Sequence, residues 1–186
     1  MSVQIIKRQF NVTEYNRMAE TGILSEDDRV ELIEGEIVEM SPIGSRHAAC
    51  VRRLDATFNR RLGQVVQVSA QNPVLLDDYS EPEPDVALLK PRGDFYAEAH
   101  PSPSDVLLIV EVADTSVEYD RQVKGPLYAR AGIPEMWLVN LPEEMIEVYA
   151  QPENGTYRSR KGFTRGQTLS SRTIDDLKLN VEDILG

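Results

Sequence analysis

The sequence predicts an α/β fold with a central mixed sheet, flanking helices and additional β-hairpins, and three observations lead to it. Residues 106–110 form an apolar run without alternation, which is typical of a central strand covered on both faces. A helical pattern and a second strand, over residues 135–139, come next, and this order predicts a right-handed parallel crossover. Asn154-Gly155, a strong turn signal between the segments 145–150 and 157–161, indicates an antiparallel hairpin.

Length and composition indicate an ordinary globular protein. The 186 residues suit a single domain over residues 1–186, with 41% hydrophobic and 27% charged residues. The net charge of −11 disfavours a non-specific nucleic-acid binder unless a local basic face exists. Cys50, the one cysteine, excludes an internal disulfide and fits a reducing compartment. Because the sequence lacks a membrane-length apolar run and the apolar core of a signal peptide, we expect a cytoplasmic protein.

The first half of the chain shows clear helical and strand patterns. They predict a helix over 13–19, hairpin strands over 30–33 and 36–40, a helix over 46–62, and strands over 65–70 and 73–76. Thr13 is the expected cap of the first helix. In the long helix, apolar residues recur from Val51 to Leu62 at helical spacing and predict its buried face.

Arginines line the opposite face of the long helix: Arg46, Arg52, Arg53, Arg60 and Arg61. Such a row is either a solvated helix face or a set of phosphate contacts. His47, at the start of the helix, has a capping or core role, or it contacts a phosphate or relays protons. Arg46, His47 and Arg53 are therefore our candidates for nucleic-acid contact.

The second half is organised around the apolar run and its continuation. Residues 81–84 are extended because of their prolines, and they lead to Asp85 at the head of a strand over 86–89. Glu111 ends the apolar run, where a carboxylate is costly unless a metal ion, lysine or arginine meets it. Hairpin strands over 145–150 and 157–161, and a tail over 168–186 with a strand fragment and a short helix, complete the chain.

The helix of the crossover is predicted to begin near Ser116. Thr115 and Glu118 have the spacing of a capping box. The predicted buried stripe contains Tyr119, Val123 and Leu127. A kink is expected at Pro126, because a proline removes one hydrogen bond of the helix.

Four blocks of sequence, in this order, resemble the Uma2 family of restriction-endonuclease-like proteins. They are ELIEGE at 31–36, PDV at 84–86, the set Glu111-Val112, Ser116, Asp120 and Lys124, and YARAGIPEMWLV at 128–139. The resemblance covers roughly residues 12–149, with two departures: Asn140 replaces an expected acidic residue, and Pro126 interrupts the helix. It implies a restriction-endonuclease-like fold and a metal-dependent nuclease with DNA as its substrate.

Hydrolysis of a phosphodiester requires charge neutralisation at the phosphate and an activated water, and a divalent metal ion supplies both. Mg²⁺, or Mn²⁺ in its place, prefers oxygen ligands. We expect the carboxylates of Asp85 and Glu111 and the backbone carbonyl of Val112 to hold it. Glu31 is the best candidate for an additional acidic ligand.

The resemblance also implies a role for Lys124. In nucleases of this fold the lysine commonly lies two residues after the acidic residue, and Ala113 stands there in this sequence. Lys124, from the following helix, is therefore expected to reach the site and to orient or deprotonate the attacking water, or to neutralise charge. Without the resemblance, Asp120 and Lys124 are simply a surface ion pair of a helix.

Other functions remain open at this point. One alternative is a catalytically silent module with the nuclease fold that binds nucleic acid or a protein partner, and another is hydrolysis of a small phosphate ester. Zinc is disfavoured because one cysteine and two histidines do not fill a typical zinc site. Since cutting both strands of a duplex calls for two active sites, and cyclic dimers are common, we expect a homodimer.

Overall fold

The computed structural model describes residues 7–25, 27–63 and 65–186. In chain order, the elements are α1 (Val12–Glu20), β1 (Val30–Ile33), β2 (Glu36–Glu39), α2 (Ser45–Leu62), β3 (Gln67–Ala70), β4 (Val86–Leu89), β5 (Val106–Ala113), α3 (Val117–Tyr119), a π-helical turn (Asp120–Lys124), α4 (Gly125–Arg130), β6 (Glu135–Asn140), β7 (Met145–Glu153), β8 (Thr156–Thr164), β9 (Thr168–Ser170), β10 (Lys178–Asn180) and α5 (Val181–Leu185). None of the helices in the described ranges combines the length and the apolar character that a membrane span requires.

Six strands form the central sheet, in the order β3-β4-β5-β6-β7-β8. β5 and β6 are parallel, whereas the other neighbouring strands are antiparallel. The mixed sheet and the parallel crossover are therefore as predicted. β1–β2 and β9–β10 form two separate antiparallel pairs. The turn at Asn154 and Gly155 has positive φ at both residues, as its sequence predicts.

Helices cover both faces of the sheet, and this placement decides which side chains meet at β5. α2 and the C-terminal tail pack on the face that contains Val110 and Val112. α4 packs on the other face, against Ile109 and Ala113. Because side chains alternate along a strand, Glu111 projects toward the helical segment of residues 117–130.

That segment differs from the predicted helix, because its centre is a π-helical turn. The Gly125 N–H donates to the carbonyl of Asp120, five residues earlier, directly before Pro126. A widened turn separates the proline ring from the preceding carbonyls, which explains why the irregularity occurs here. The expected capping box is wrong: no side chain caps this helix, and the Ser116 hydroxyl donates to Asp120 Oδ2 at 2.7 Å.

The π-helical turn also changes which face of the helix is buried. Leu127 is buried as predicted, but Tyr119 and Val123 are only half-buried. Asp120 and Lys124 are buried instead, with 4% and 6% exposure. A π turn contains more residues than an α turn, so the phase of the pattern shifts across it. The surface ion pair between Asp120 and Lys124 is therefore excluded.

Two smaller expectations were wrong in their details. The cap of α1 is Asn11, whose side chain accepts from the Glu14 N–H at 2.8 Å, and not Thr13. Residues 73–76 form no strand, since the backbone N–H groups of residues 74–76 donate to loop carbonyls rather than to a neighbouring strand. The long helix, the β1–β2 hairpin, β4 and the tail agree with the prediction within a few residues.

Candidate active site

A cavity of about 550 Å³ lies at the carboxyl end of β5, between the β1–β2 hairpin, the start of α2 and the head of β4. Six of the residues predicted for the site line it: Glu31, His47, Asp85, Glu111, Val112 and Lys124. They come from five separate parts of the chain, so the fold itself brings them together. Arg46 and Arg53 do not line this cavity.

Glu111 is one of the buried carboxylates of the cavity, with 3% exposure. Its Oε1 accepts from Lys124 Nζ at 3.2 Å and from the Tyr128 hydroxyl at 2.6 Å. Its Oε2 accepts from the backbone N–H of Asp85 at 3.3 Å. Burial raises the pKa of Glu111 above its ordinary value, and the nearby carboxylates act in the same direction. This carboxylate consequently gains from any further cation at the site.

Asp85 and Val112 are joined directly. The Val112 N–H donates to Asp85 Oδ2 at 2.9 Å, and Asp85 directly precedes Val86, the first residue of β4, which pairs with Val110 of β5. In a strand the N–H and C=O of one residue point toward the same neighbour, so the Val112 carbonyl faces the Asp85 side as well. Within the described part of the chain, no group donates to Asp85 Oδ1.

Lys124 is held between two carboxylates from opposite sides of the cavity. Its Nζ lies 3.0 Å from Glu31 Oε2 and 3.2 Å from Glu111 Oε1. Burial acts to lower the pKa of Lys124, but Glu111 and Glu31 outweigh it and raise the pKa above its ordinary value. Lys124 is therefore a buried ammonium that donates hydrogen bonds.

Glu31 thus has a partner other than a metal ion in this structure. Besides Lys124, its Oε2 accepts from the backbone N–H of Glu83 at 3.2 Å. Glu31 is 2% exposed, on a strand whose last three residues are all buried. It lines the cavity, and the Lys124 ammonium balances its charge.

Asp120 and Tyr128 are two polar residues of the site that the sequence interpretation missed. Asp120 lines the cavity, and burial raises the pKa of its carboxyl. Tyr128, interpreted as a core residue, is buried but uses its hydroxyl on Glu111. Their spacing was the available signal, since residues 120, 124 and 128 recur at intervals of four.

His47 lies in the first turn of α2 and contacts Asp85 rather than open solvent. Its Nε2 is 2.9 Å from Asp85 Oδ2, and this hydrogen bond raises the pKa of His47. Its Nδ1 is buried and has no hydrogen-bond partner among the described residues. The imidazole therefore fixes the orientation of Asp85 and keeps one nitrogen uncommitted.

Arg46 and Arg53 are engaged elsewhere. Arg46 donates to the carbonyl of Leu141 at 3.0 Å. Arg53 donates to the carbonyls of Ile184 and Leu185 at 2.9 and 2.6 Å, at the end of α5. Both contribute to holding the chain together around α2, and their expected contact with nucleic acid stays a prediction.

The cavity fits a hard divalent cation, although the protein supplies only part of a coordination shell. Among the described residues, no group of three or more His, Cys, Asp or Glu side chains is arranged to hold a metal ion. Mg²⁺ usually takes one or two carboxylates and completes its octahedron with water and substrate. The free Oδ1 of Asp85, the Glu111 carboxylate and the Val112 carbonyl match that partial set.

The charge of the cavity wall points in the same direction. Seven carboxylates line it: Glu31, Glu39, Glu83, Asp85, Glu111, Asp114 and Asp120. The permanent cations of the lining are Arg29 and Lys124. A wall with this excess of negative charge repels a phosphodiester, and bound cations reverse that repulsion.

Comparisons with known proteins bear on the family and the fold of the chain. The sequence profile of the Uma2 family, described as "Putative restriction endonuclease", matches residues 12–182. The chain is also similar to a crystal structure of "a putative nuclease belonging to DUF820 from Anabaena variabilis ATCC 29413". The TM-score is 0.73 at 15% identity, covering 95% of this chain and 97% of that chain. The likeness confirms the predicted fold class. The comparison with curated proteins found no match.

Proposed function

This chain belongs to the Uma2 family, and on that basis we propose that it is a metal-dependent nuclease that hydrolyses phosphodiester bonds, with DNA as its substrate. One observation carries the proposal: Asp85, Glu111, Val112 and Lys124 converge in one cavity through direct hydrogen bonds. Two acidic groups and a lysine in one cavity suit phosphoryl chemistry.

The metal ion of this proposal is Mg²⁺, with Mn²⁺ as the alternative. Asp85, Glu111 and the Val112 carbonyl hold it, and it supplies charge neutralisation at the phosphate and activation of water. His47 orients Asp85 through the hydrogen bond at 2.9 Å. Tyr128 orients Glu111 through the hydrogen bond at 2.6 Å.

Lys124 acts in this proposal as a protonated group. Its two carboxylate partners favour the ammonium, so it donates a hydrogen bond to the attacking water or to a phosphate oxygen and offsets the charge that develops there. Glu31 holds the ammonium against Glu111 and the cavity. We therefore assign Glu31 to positioning Lys124, in place of the ligand role expected from the sequence.

Two further parts of the proposal concern the whole molecule. A homodimer supplies the two active sites that a double-strand cut requires, and light scattering that shows a monomer at micromolar concentration contradicts it. A cytoplasmic location fits the reduced, buried Cys50 and stays a prediction.

The decisive experiment is cleavage of single-stranded and double-stranded DNA with Mg²⁺ or Mn²⁺, at low salt because phosphate contacts weaken as salt rises. We expect cleavage by the wild type and loss of cleavage in Asp85→Asn and Glu111→Gln. DNA binding without cleavage by the wild type supports the silent module instead. Cleavage of a small phosphate ester but of no DNA supports the phosphate-ester alternative.

A further inference from the structure

A second cavity, of about 200 Å³, lies on the other side of the first turn of α2 and concentrates positive charge. Arg46, Arg53 and Arg165 line it together with one carboxylate, that of Glu144. This local excess of cations occurs in a chain whose net charge is −11. The contrast with the acidic active-site cavity makes it the best candidate for a separate anion site.

The hydrogen bonds that hold Arg46 and Arg165 leave some of their guanidinium N–H donors unused. Arg165 donates two hydrogen bonds to the Glu144 carboxylate, at 3.1 and 3.3 Å, and one to the Gly186 carbonyl at 3.1 Å. Arg46 makes a single hydrogen bond, to the Leu141 carbonyl, among the described residues. A guanidinium has five N–H donors in a planar fork that matches a phosphate group. Arg46 therefore retains most of its donors for an anion, and Arg165 retains the two N–H donors of Nη1, which have no partner among the described residues.

The arginine-lined cavity and the active-site cavity flank the same structural elements. Arg46 and His47 are consecutive residues of α2, and one lines each cavity. Leu141, in the wall of the arginine-lined cavity, donates its N–H to the Ala113 carbonyl at 3.0 Å. Ala113 is two residues beyond Glu111 on β5. A strand of nucleic acid that reaches one cavity consequently passes close to the other.

We propose that the arginine-lined cavity binds a backbone phosphate that flanks the scissile phosphate of the nucleic-acid substrate. The inference rests on the proposed nuclease function and adds the contact that attracts a polyanion to an acidic site. Arginine is suited to it because the guanidinium binds phosphate through paired hydrogen bonds. Arg46 and Arg165 make the contact, whereas Arg53 supports the cavity by holding the end of α5.

The test compares two double variants with the same change of charge. Arg46→Gln/Arg165→Gln removes the proposed contact and leaves Arg53 with α5. The matched control, Arg52→Gln/Arg158→Gln, removes one arginine from α2 and one from β8, and both lie exposed and outside the cavity. Circular dichroism and thermal melting establish that both variants are folded.

Binding of a short fluorescein-labelled DNA is measured by anisotropy over a range of salt, with Ca²⁺ neutralising the acidic cavity and a gel verifying intact DNA. We expect binding by Arg46→Gln/Arg165→Gln to be weaker by about tenfold. The slope of log K against log salt should fall by about 0.9 for each lost duplex phosphate contact. The control variant should match the wild type in slope.

Hydrolysis of bis(p-nitrophenyl) phosphate separates this inference from the nuclease proposal. That small diester has no flanking phosphate, so the cavity variant, Arg46→Gln/Arg165→Gln, should hydrolyse it as fast as the wild type. Hydrolysis of neither this diester nor DNA by the wild type contradicts the nuclease function, while the binding and salt-slope measurements still decide the arginine-lined cavity.

Three results overturn the inference. The first is that Arg46→Gln/Arg165→Gln binds DNA with the affinity and the salt slope of the wild type. The second is that the control variant loses as much DNA affinity as this variant. The third is that the wild type does not bind DNA at low salt. Melting with inorganic phosphate tests whether the cavity is a site for free phosphate instead. In that case phosphate raises the melting temperature of the wild type but not of Arg46→Gln/Arg165→Gln, and both proteins bind DNA equally.

Discussion

Lys124 lies 3.0 Å from Glu31, a residue of the separate β1–β2 hairpin, and this contact closes one side of the candidate active site. The side chain of Lys124 is 7% exposed, and that of Glu31 is 3% exposed. Since a second carboxylate, that of Glu111, lies 3.2 Å away, Lys124 balances negative charge from two elements at once. Its removal therefore affects stability as well as any activity.

For Lys124→Met we predict two losses. Removing one partner of a buried ion pair costs about 3–5 kcal/mol of unfolding free energy. Cleavage should fall by roughly 10²–10⁴ if the ammonium acts on water or phosphate. Urea denaturation and single-turnover cleavage measure the two effects separately.

A double variant separates the roles of Lys124. In Glu31→Gln/Lys124→Met one of the two uncompensated carboxylates is gone, so stability should recover in part, whereas cleavage should stay low. A double variant with wild-type cleavage would show that Lys124 serves the fold alone. Glu34→Gln is the control for the hairpin, because Glu34 is exposed and pairs with Arg130.

A divalent ion should stabilise the wild type through Asp85. Millimolar Mg²⁺ or Mn²⁺ binds the native state and relieves repulsion among the buried carboxylates, so the melting temperature should rise. Asp85→Asn should show little rise. Glu39→Gln, at another position of the same cavity wall, should respond like the wild type. Equal rises in Asp85→Asn and the wild type would remove Asp85 from the metal site.

Tyr128→Phe tests the hydrogen bond that orients Glu111. Loss of a partner beside a metal ligand typically lowers metal affinity or activity by about 10–100-fold. We expect a loss in that range, measured as the Mg²⁺ concentration for half-maximal cleavage. Tyr157→Phe is the matched control, because its hydroxyl donates to the Ile133 carbonyl at 3.0 Å, outside the cavity. An equal effect of both variants would indicate general loosening of the core.

Glu147 provides a prediction that depends on pH. Its side chain is 1% exposed and pairs with Arg121, from the π-helical turn, and with Arg160. Burial opposes ionisation, but hydrogen bonds from Arg121 and Tyr149 and the charge of Arg160 outweigh it and lower the pKa of Glu147.

A lowered carboxyl pKa contributes stability that is present above the pKa of the unfolded chain and is lost as pH falls through the folded pKa. Glu147→Gln should therefore destabilise by about 2 kcal/mol at neutral pH and by much less in acid. Urea denaturation at neutral and at acidic pH measures this difference. The exposed Glu153→Gln should change little at either pH, and a constant deficit for Glu147→Gln would refute the ionic explanation.

The convergence of Asp85 and Glu111 was predictable from the sequence, because both residues lie at the ends of strands. Val106 and its neighbours have an unmistakable central-strand pattern, which fixes Glu111 at the end of a buried strand. Pro84 keeps its neighbourhood extended, so Asp85 reaches the same end of the sheet through the antiparallel pairing of β4 and β5. The meeting of these two acidic groups follows from strand order alone.

The helix between β5 and β6 was less predictable, because its irregularity depends on tertiary contacts. A pattern with the period of an α-helix assigned burial to Tyr119 and Val123 and exposure to Asp120. The π-helical turn reverses this assignment. In the local sequence, only Pro126 indicates the π-helical turn. Burial of Asp120 and Lys124 is favourable only because other residues supply partners, namely Ser116, Glu31 and Glu111.

The π-helical turn makes the number of residues as important as their identity. Deleting one residue among 121–123 would keep Asp120, Lys124 and Tyr128 but would turn the last two by roughly 100° about the helix axis relative to Asp120. Lys124 and Tyr128 would then no longer meet Glu111 while Asp120 keeps its hydrogen bond to Ser116. Insertions and deletions, which surface loops tolerate well, should therefore be rare in this short segment even where substitutions accumulate.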